Sequence, residues 1–215
     1  MQRHFVRLMS VVTVVAAALA VSMALPGAQA PQGGAAPAGG GQGRGAGRGP
    51  QVPPLIMTTT AWEDGGVIPD KFTGAAGPMA VSPELKWTQV PMGTQSFALL
   101  MHDPEPVLAK GSKMDITHWL IWNIPGTSTG LPEGVAQGEL PDGSRQVSLR
   151  GNGYMGPGAP AGPYHHYTFE LYALDIKLEV PQGTQQQAAD TRNAVVNAMD
   201  GHVLGKAVLV ARYHR

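Results

Sequence analysis

This sequence predicts one mostly β domain, arranged as a sandwich, and three observations carry the prediction. Five short apolar runs rich in β-branched and aromatic residues are bounded by Gly and Pro: Leu85 to Val90, Ser96 to Met101, Thr117 to Ile124, Tyr167 to Leu174, and Lys206 to Tyr213. Their spacing is irregular, with no helical pattern of about 10 to 15 residues between them, which argues against a parallel βαβ sheet. The first fifty or so of the 215 residues are unsuited to a packed core, which leaves about one domain.

The N-terminal thirty residues read as a secretory signal peptide, residues 1–30. They open with Arg3, His4 and Arg7, continue through the apolar run Val11 to Ala20, and end in Ala28-Gln29-Ala30. The run is short for a membrane-spanning helix, and an uncleaved N-terminal anchor is the alternative. There is no cysteine, so disulfides, thiolate metal ligands and a lipid-modified cysteine are excluded. A periplasmic or secreted fate fits both features.

Residues 31–54 are almost entirely Gly, Ala, Pro and Gln, a flexible linker. Its two charges, Arg44 and Arg48, have no interleaved aromatics, so the segment makes a poor nucleic-acid binder. Residues 55–215 form the expected folded domain. A formal net charge of zero hides an asymmetry, because the four arginines before residue 55 leave eleven bases against fifteen acids after it, a balance of −4. A mildly acidic domain cannot displace nucleic-acid counterions and is not drawn strongly to an anionic membrane. Any anion it takes is held locally.

Within the strands, alternation over Tyr167 to Leu174 puts Phe169, Leu171 and Ala173 on one face and Thr168, Glu170 and Tyr172 on the other. The same count over Thr117 to Ile124 places His118 with Leu120 and Trp122, opposite Trp119 and Ile121. That strand is apolar on both faces and therefore central. One helix is predicted after a Thr184/Gln187 capping box, with Ala188, Val195 and Met199 as its apolar stripe and Gly201 as its stop. It is expected to cover one end of the sandwich.

Three segments could carry chemistry. In Met101-His102-Asp103-Pro104-Glu105-Pro106 a strand runs into two prolines that end the ladder and fix the loop. By itself it reads equally well as a solvated acidic turn. Thr117-His118-Trp119 opens an apolar strand, where a lone histidine is either a satisfied core residue or a site residue. Gly153 to Pro163 is a long Gly/Pro loop that lets a ligand approach backbone N–H groups, and it delivers the chain into His165-His166-Tyr167. Alternation puts His165 and Tyr167 on one face and His166 on the other.

In this order, Asp103-Pro104-Glu105-Pro106, Thr117-His118-Trp119 through Asn123-Ile124-Pro125, and Gly156-Pro157 through Pro160, Gly162, His165 and Tyr167 closely resemble the two signature regions of the phosphatidylethanolamine-binding protein family, in its bacterial Raf-kinase-inhibitor-like branch. Ser82-Pro83-Glu84-Leu85 with Trp87, Leu171 to Asp175, and Gly201 to Gly205 agree as well, so the resemblance spans roughly Met57 to Arg215. It implies a Greek-key β-sandwich with a small pocket for phosphate-like anions or phosphorylated head groups. Asp103, His118, His165 and Tyr167 would line that pocket, Gly156 and Pro157 would shape its wall, and Glu105 and Pro106 are further candidates.

Two departures stand out. The family's usual Asp-Pro-Asp-Ala-Pro appears as Asp103-Pro104-Glu105-Pro106-Val107, and its usual His-Arg-Tyr as His165-His166-Tyr167.

Imidazole N–H, a tyrosine hydroxyl and loop amides are donors to phosphate oxygens. Asp103 would orient a histidine, fixing its tautomer and favouring its charged form. The expected function is therefore binding without catalysis, with no cofactor and no metal. Its partner is a small anionic or phosphorylated ligand, or a protein partner that the domain inhibits or regulates. The alternative is a metal-dependent hydrolase built from His102, Asp103, His118, His165 and His166. No H-E-x-x-H spacing supports that alternative, and no G-x-S-x-G elbow supports a serine nucleophile.

Overall fold

The structure is a computed structural model that describes residues 53–106, 110–111 and 115–215. The expected leader, residues 1–30, and nearly all of the expected linker, residues 31–54, lie outside the described residues. No helix among the described residues is long and apolar enough to cross a membrane.

The described chain is mostly β, with two sheets and one short helix. Strands β1 (Ile56–Thr58), β3 (Leu85–Thr88) and β6 (Gly130–Leu131) form a small sheet in the order β1-β3-β6. A larger sheet takes the order β2-β9-β8-β4-β5-β7, from β2 (Gly66–Val67), β9 (Val203–Tyr213), β8 (His165–Leu174), β4 (Ser96–Asp103), β5 (Ile116–Pro125) and β7 (Arg145–Val147). All its pairings are antiparallel except that of β2 with β9.

Alternation sorts the large sheet's side chains into two cores. The inner face sends Phe97, Leu99, Met101, Trp119, Ile121, Phe169 and Leu171 against Met57, Leu85, Trp87 and Leu131 of the small sheet. The outer face sends Ala98, Leu100, Leu120, Trp122 and Val147 against Ala188, Val195 and Met199, which come from α1 (Ala188–Ala198) and its C-cap. The helix thus covers the outer face of the large sheet rather than one end, because that face is as apolar as the inner one and needs its own cover. Phe97, Phe169 and Trp119 are fully buried, and truncating any of them to alanine costs about 3–5 kcal/mol.

Helix α1 is preceded by a 3₁₀ turn, Gln185–Gln187, and by the predicted capping box, in which the Gln187 side chain accepts from both the N–H and the hydroxyl of Thr184 at 3.2 and 3.1 Å. Gly201, at φ 80°, follows it in the left-handed region that glycine tolerates.

Strand β5 is bulged twice against β4: Phe97 faces Ile124 while Ala98 faces Trp122, and Met101 faces Trp119 while His102 faces Thr117. The residues left over are Asn123 and His118. A bulge re-aims the side chain it carries.

Candidate functional site

Antiparallel pairing explains why motifs far apart in sequence meet. Strand β4 lies between β5 and β8 and runs opposite to both, so its last residue comes beside the first residues of its two neighbours. Asp103 pairs with Ile116, and His102 pairs with Thr168. The strand stops there because Pro104 and Pro106 cannot continue the ladder.

A cavity of about 460 Å³ opens at this end of the sheet. Asp103, His118, His165 and Tyr167 line it together with Gly156 and Pro106. Pro157 stands behind the wall instead: it is buried, and its carbonyl accepts the N–H of Gly74 at 2.6 Å. Gly156 is held close to the same segment, where a Cβ would come within 2.8 Å of the Thr73 carbonyl carbon, so a side chain there would push the loop off the domain. Glu105 is not among the lining residues. Ile116, Leu149, Arg150 and Met155 are, and the sequence reading had singled out none of them. Met155 lies in the loop already noted for its glycines, whereas Arg150 belongs to no motif.

The polar floor has defined donors and acceptors. Asp103, 2% exposed, receives the backbone N–H of Glu105 on one oxygen at 3.1 Å and pairs with His165 Nδ1 through the other at 2.7 Å. Burial raises its pKa above the ordinary carboxylate value, with the His165 hydrogen bond opposing.

His118, 4% exposed, faces Met155, whose carbonyl oxygen can only accept, so His118 donates Nδ1–H to it at 2.9 Å. In the neutral ring Nε2 is then an acceptor. Burial, helped by the charge of Arg150, lowers the His118 pKa to about 4, against the Met155 hydrogen bond. The histidine that Asp103 orients is His165, not His118.

The face assigned to His118 by alternation also changes. Its ring meets that of Tyr167 edge-on, centroids 5.0 Å apart, and Tyr167 belongs to the inner core rather than to the Leu120/Trp122 side. The bulge at His118 accounts for this. Strand β8 has no bulge near its start, so His165 and Tyr167 share the predicted face and His166 points away. Tyr167 is wholly buried, and its hydroxyl lies near the Asp103 carboxylate and the backbone of Gly158 and Ala159. Burial and the nearby Asp103 carboxylate push that hydroxyl's pKa up.

The five groups of the hydrolase alternative do not come together. His102 points to the outer face, pairs with Asp115 at 2.6 Å, and shares that carboxylate with Arg192 of α1. His166 pairs at 2.6 Å with Glu105, which also accepts its backbone N–H at 3.0 Å. The two departures from the family pattern are therefore in contact with each other. Among the described residues, Asp103, Glu105 and His165 do hold ligand-type atoms within 4.8 Å of one another. The contacts above already engage both of the acids.

Residues 58–214 match the phosphatidylethanolamine-binding protein family. The UPF0098 protein of Methanothermobacter thermautotrophicus is 43% identical over 162 residues, which cover 74% of this chain and 98% of that one. LppC of Mycobacterium tuberculosis, named a candidate lipoprotein, is 34% identical over 157 residues, 71% of this chain and 70% of that one. Among solved structures, the candidate phosphatidylethanolamine-binding protein homolog CT736 of Chlamydia trachomatis superposes with a TM-score of 0.63 at 28% identity, covering 75% of this chain and 98% of that one. With the family match running through the described domain and the UPF0098 protein aligned over nearly its whole length, this chain belongs to the phosphatidylethanolamine-binding protein family.

Proposed function

We propose that the domain is a binding module whose cavity takes a phosphate-like anion or a phosphorylated head group, and that it performs no chemistry on it. The observation that carries the reading is the convergence of Asp103, His118, His165 and Tyr167, from three neighbouring strands, on the wall of one cavity together with Gly156, Gly158 and Ala159. Loop glycines let an anion approach backbone N–H groups closely, and imidazole N–H adds a side-chain donor. His165, fixed through Nδ1 by Asp103, leaves Nε2 as a further contact. Membership in a family of binding proteins supports the absence of catalysis, and the separation of His102 and His166 from the cavity removes two of the five hydrolase ligands.

The expected Greek-key sandwich belongs to the same reading, supported by the order β9-β8-β4-β5 and by the small sheet over its inner face. Export to the periplasm or beyond is supported by the leader pattern in residues 1–30 and by a relative named a candidate lipoprotein. An inhibitory or regulatory role toward a protein partner would use the same cavity to hold that partner's anionic group.

The test is an NMR titration of the full chain with inorganic phosphate and with phosphoethanolamine, with and without zinc. Shifts confined to His118, His165, Tyr167 and their neighbours in the absence of metal are expected. Shifts that appear only with zinc would transfer the reading to a metal site, and no shifts under either condition would end it.

A further inference from the structure

The cavity described above needs a source of positive charge, and its histidines are poor candidates. His118 spends its Nδ1–H on the Met155 carbonyl and presents an acceptor at Nε2. His165 is balanced by the Asp103 carboxylate. Among the described residues lining the cavity, Arg150 is the one permanent cation.

Its backbone is held in place. The Arg150 N–H is donated to Ser148 Oγ at 3.2 Å, and Ser148 pairs with Gly151 across the turn, its own N–H reaching the Gly151 carbonyl at 2.7 Å. Arg150 is exposed and enters no ion pair among the described residues. The guanidinium is therefore available, and its charge is felt at the His118 ring.

We infer that Arg150 supplies the charge that holds an anion in this cavity, and that the acceptor nitrogen of His118 in the same lining selects phosphomonoesters carrying a P–OH over phosphodiesters, which have none. The inference rests on the anion-binding reading of the cavity. A guanidinium matches two phosphate oxygens at once. One such cation beside a carboxylate suits a singly charged ligand, and the remaining P–OH gives His118 Nε2 the donor it needs. A phosphomonoester near pH 6 is divided between its singly and doubly charged forms, so the required species is present there. The apolar wall formed by Ile116, Leu149, Met155 and Pro160 leaves room for the ester's organic group.

The experiment is calorimetric titration of the full chain at pH 6 with methyl phosphate and with dimethyl phosphate, repeated for Arg150→Ala and Arg150→Lys. The expected result is that the monoester binds at least about tenfold more tightly than the diester to the unaltered chain. Arg150→Ala should weaken the monoester by about tenfold or more, with Arg150→Lys recovering part of the loss and both variants keeping the parent's unfolding midpoint. Equal binding of monoester and diester overturns the selection by His118. Unchanged affinity in Arg150→Ala overturns the assignment of the charge while leaving the anion reading standing. Binding of neither compound to the unaltered chain removes the anion reading, and this inference with it.

Discussion

His102 and Asp103 are neighbours on β4, and each belongs to a histidine–carboxylate pair, yet the pairs lie on opposite faces of the sheet and differ in what surrounds them. On the outer face, Asp115 takes His102 on one oxygen and Arg192 on the other, with Thr117 also within 3.4 Å of the arginine. Burial works against that carboxylate's charge, but the His102 and Arg192 hydrogen bonds outweigh it and hold its pKa well below the usual range. On the inner face, Asp103 has His165 and one backbone N–H but no arginine at hydrogen-bond distance, and burial raises its pKa. The difference separates a carboxylate that joins two elements from one that faces a cavity. The outer carboxylate is held by two side chains and ties α1 to the sheet, whereas the inner one lies in a cavity wall with His165 as its one ion-pair partner among the described residues.

The sharpest way to break this comparison is to unsaturate the outer pair. Arg192→Ala should cost about 1.5–3 kcal/mol in urea unfolding, because the Asp115 carboxylate loses its permanent cation and keeps only His102, while phosphate binding stays unchanged. A loss of binding with intact stability would reverse the roles given to the two faces.

Acid should separate the two regions next. The folded pKa of His118 lies at about 4, below its ordinary value of 6.5. On acidification the unfolded chain therefore takes up a proton first. The stability contributed by the neutral ring is fully present above about pH 6.5 and drains away as the pH falls toward 4, by about 2–3 kcal/mol in all. Asp115, depressed below 3.8, keeps its contribution throughout that window and loses it only below it. Unfolding measured from pH 7 to 4 should show this slope, and His118→Gln, which can still donate to Met155, should flatten it. A slope that survives the substitution would assign it to another group.

A smaller effect is expected at Asp103. Asparagine keeps one acceptor and offers N–H to His165 Nδ1, which flips the imidazole tautomer so that Nε2 becomes a donor. Because burial already disfavours the Asp103 charge, Asp103→Asn should change stability by no more than about 1 kcal/mol, and nitrogen chemical shifts of His165 should report the new tautomer. A large loss of stability would make the inner pair as structural as the outer one.

How much of this was legible in the sequence follows from the same residues. Strands of four or more residues display their alternation, so β3, β4, β5, β8 and β9 could be read, whereas β1, β2, β6 and β7, with two or three residues each, carry no period. The β8 face was read correctly at His165 and Tyr167 because nothing interrupts its register there. The face of His118 was misread because one extra residue in β5 leaves no compositional trace, although it decides what the ring meets. Arg150 was invisible for a different reason: it reaches the cavity from a turn fixed by Ser148, and no spacing rule links that turn to Asp103 or His165.

The contact between Glu105 and His166 supports the least disruptive test. Both positions depart from the family pattern, and they touch: the longer Glu105 carboxylate reaches both the ring and the backbone N–H of His166. Burial pulls the Glu105 pKa upward, but contact with the Asp103 carboxyl and the hydrogen bonds from His166 hold it below the ordinary value. Both side chains are substantially exposed, so their coupling should be worth no more than about 1 kcal/mol. A double-mutant cycle of Glu105→Asp and His166→Arg, which restores the usual residue types, should show each single change losing a few tenths of a kcal/mol and the double recovering most of it, because His166→Arg brings a permanent cation and a longer reach to the carboxylate that Glu105→Asp draws back. Strict additivity would mean that the two departures arose independently and that the loop after β4 is held by its prolines alone.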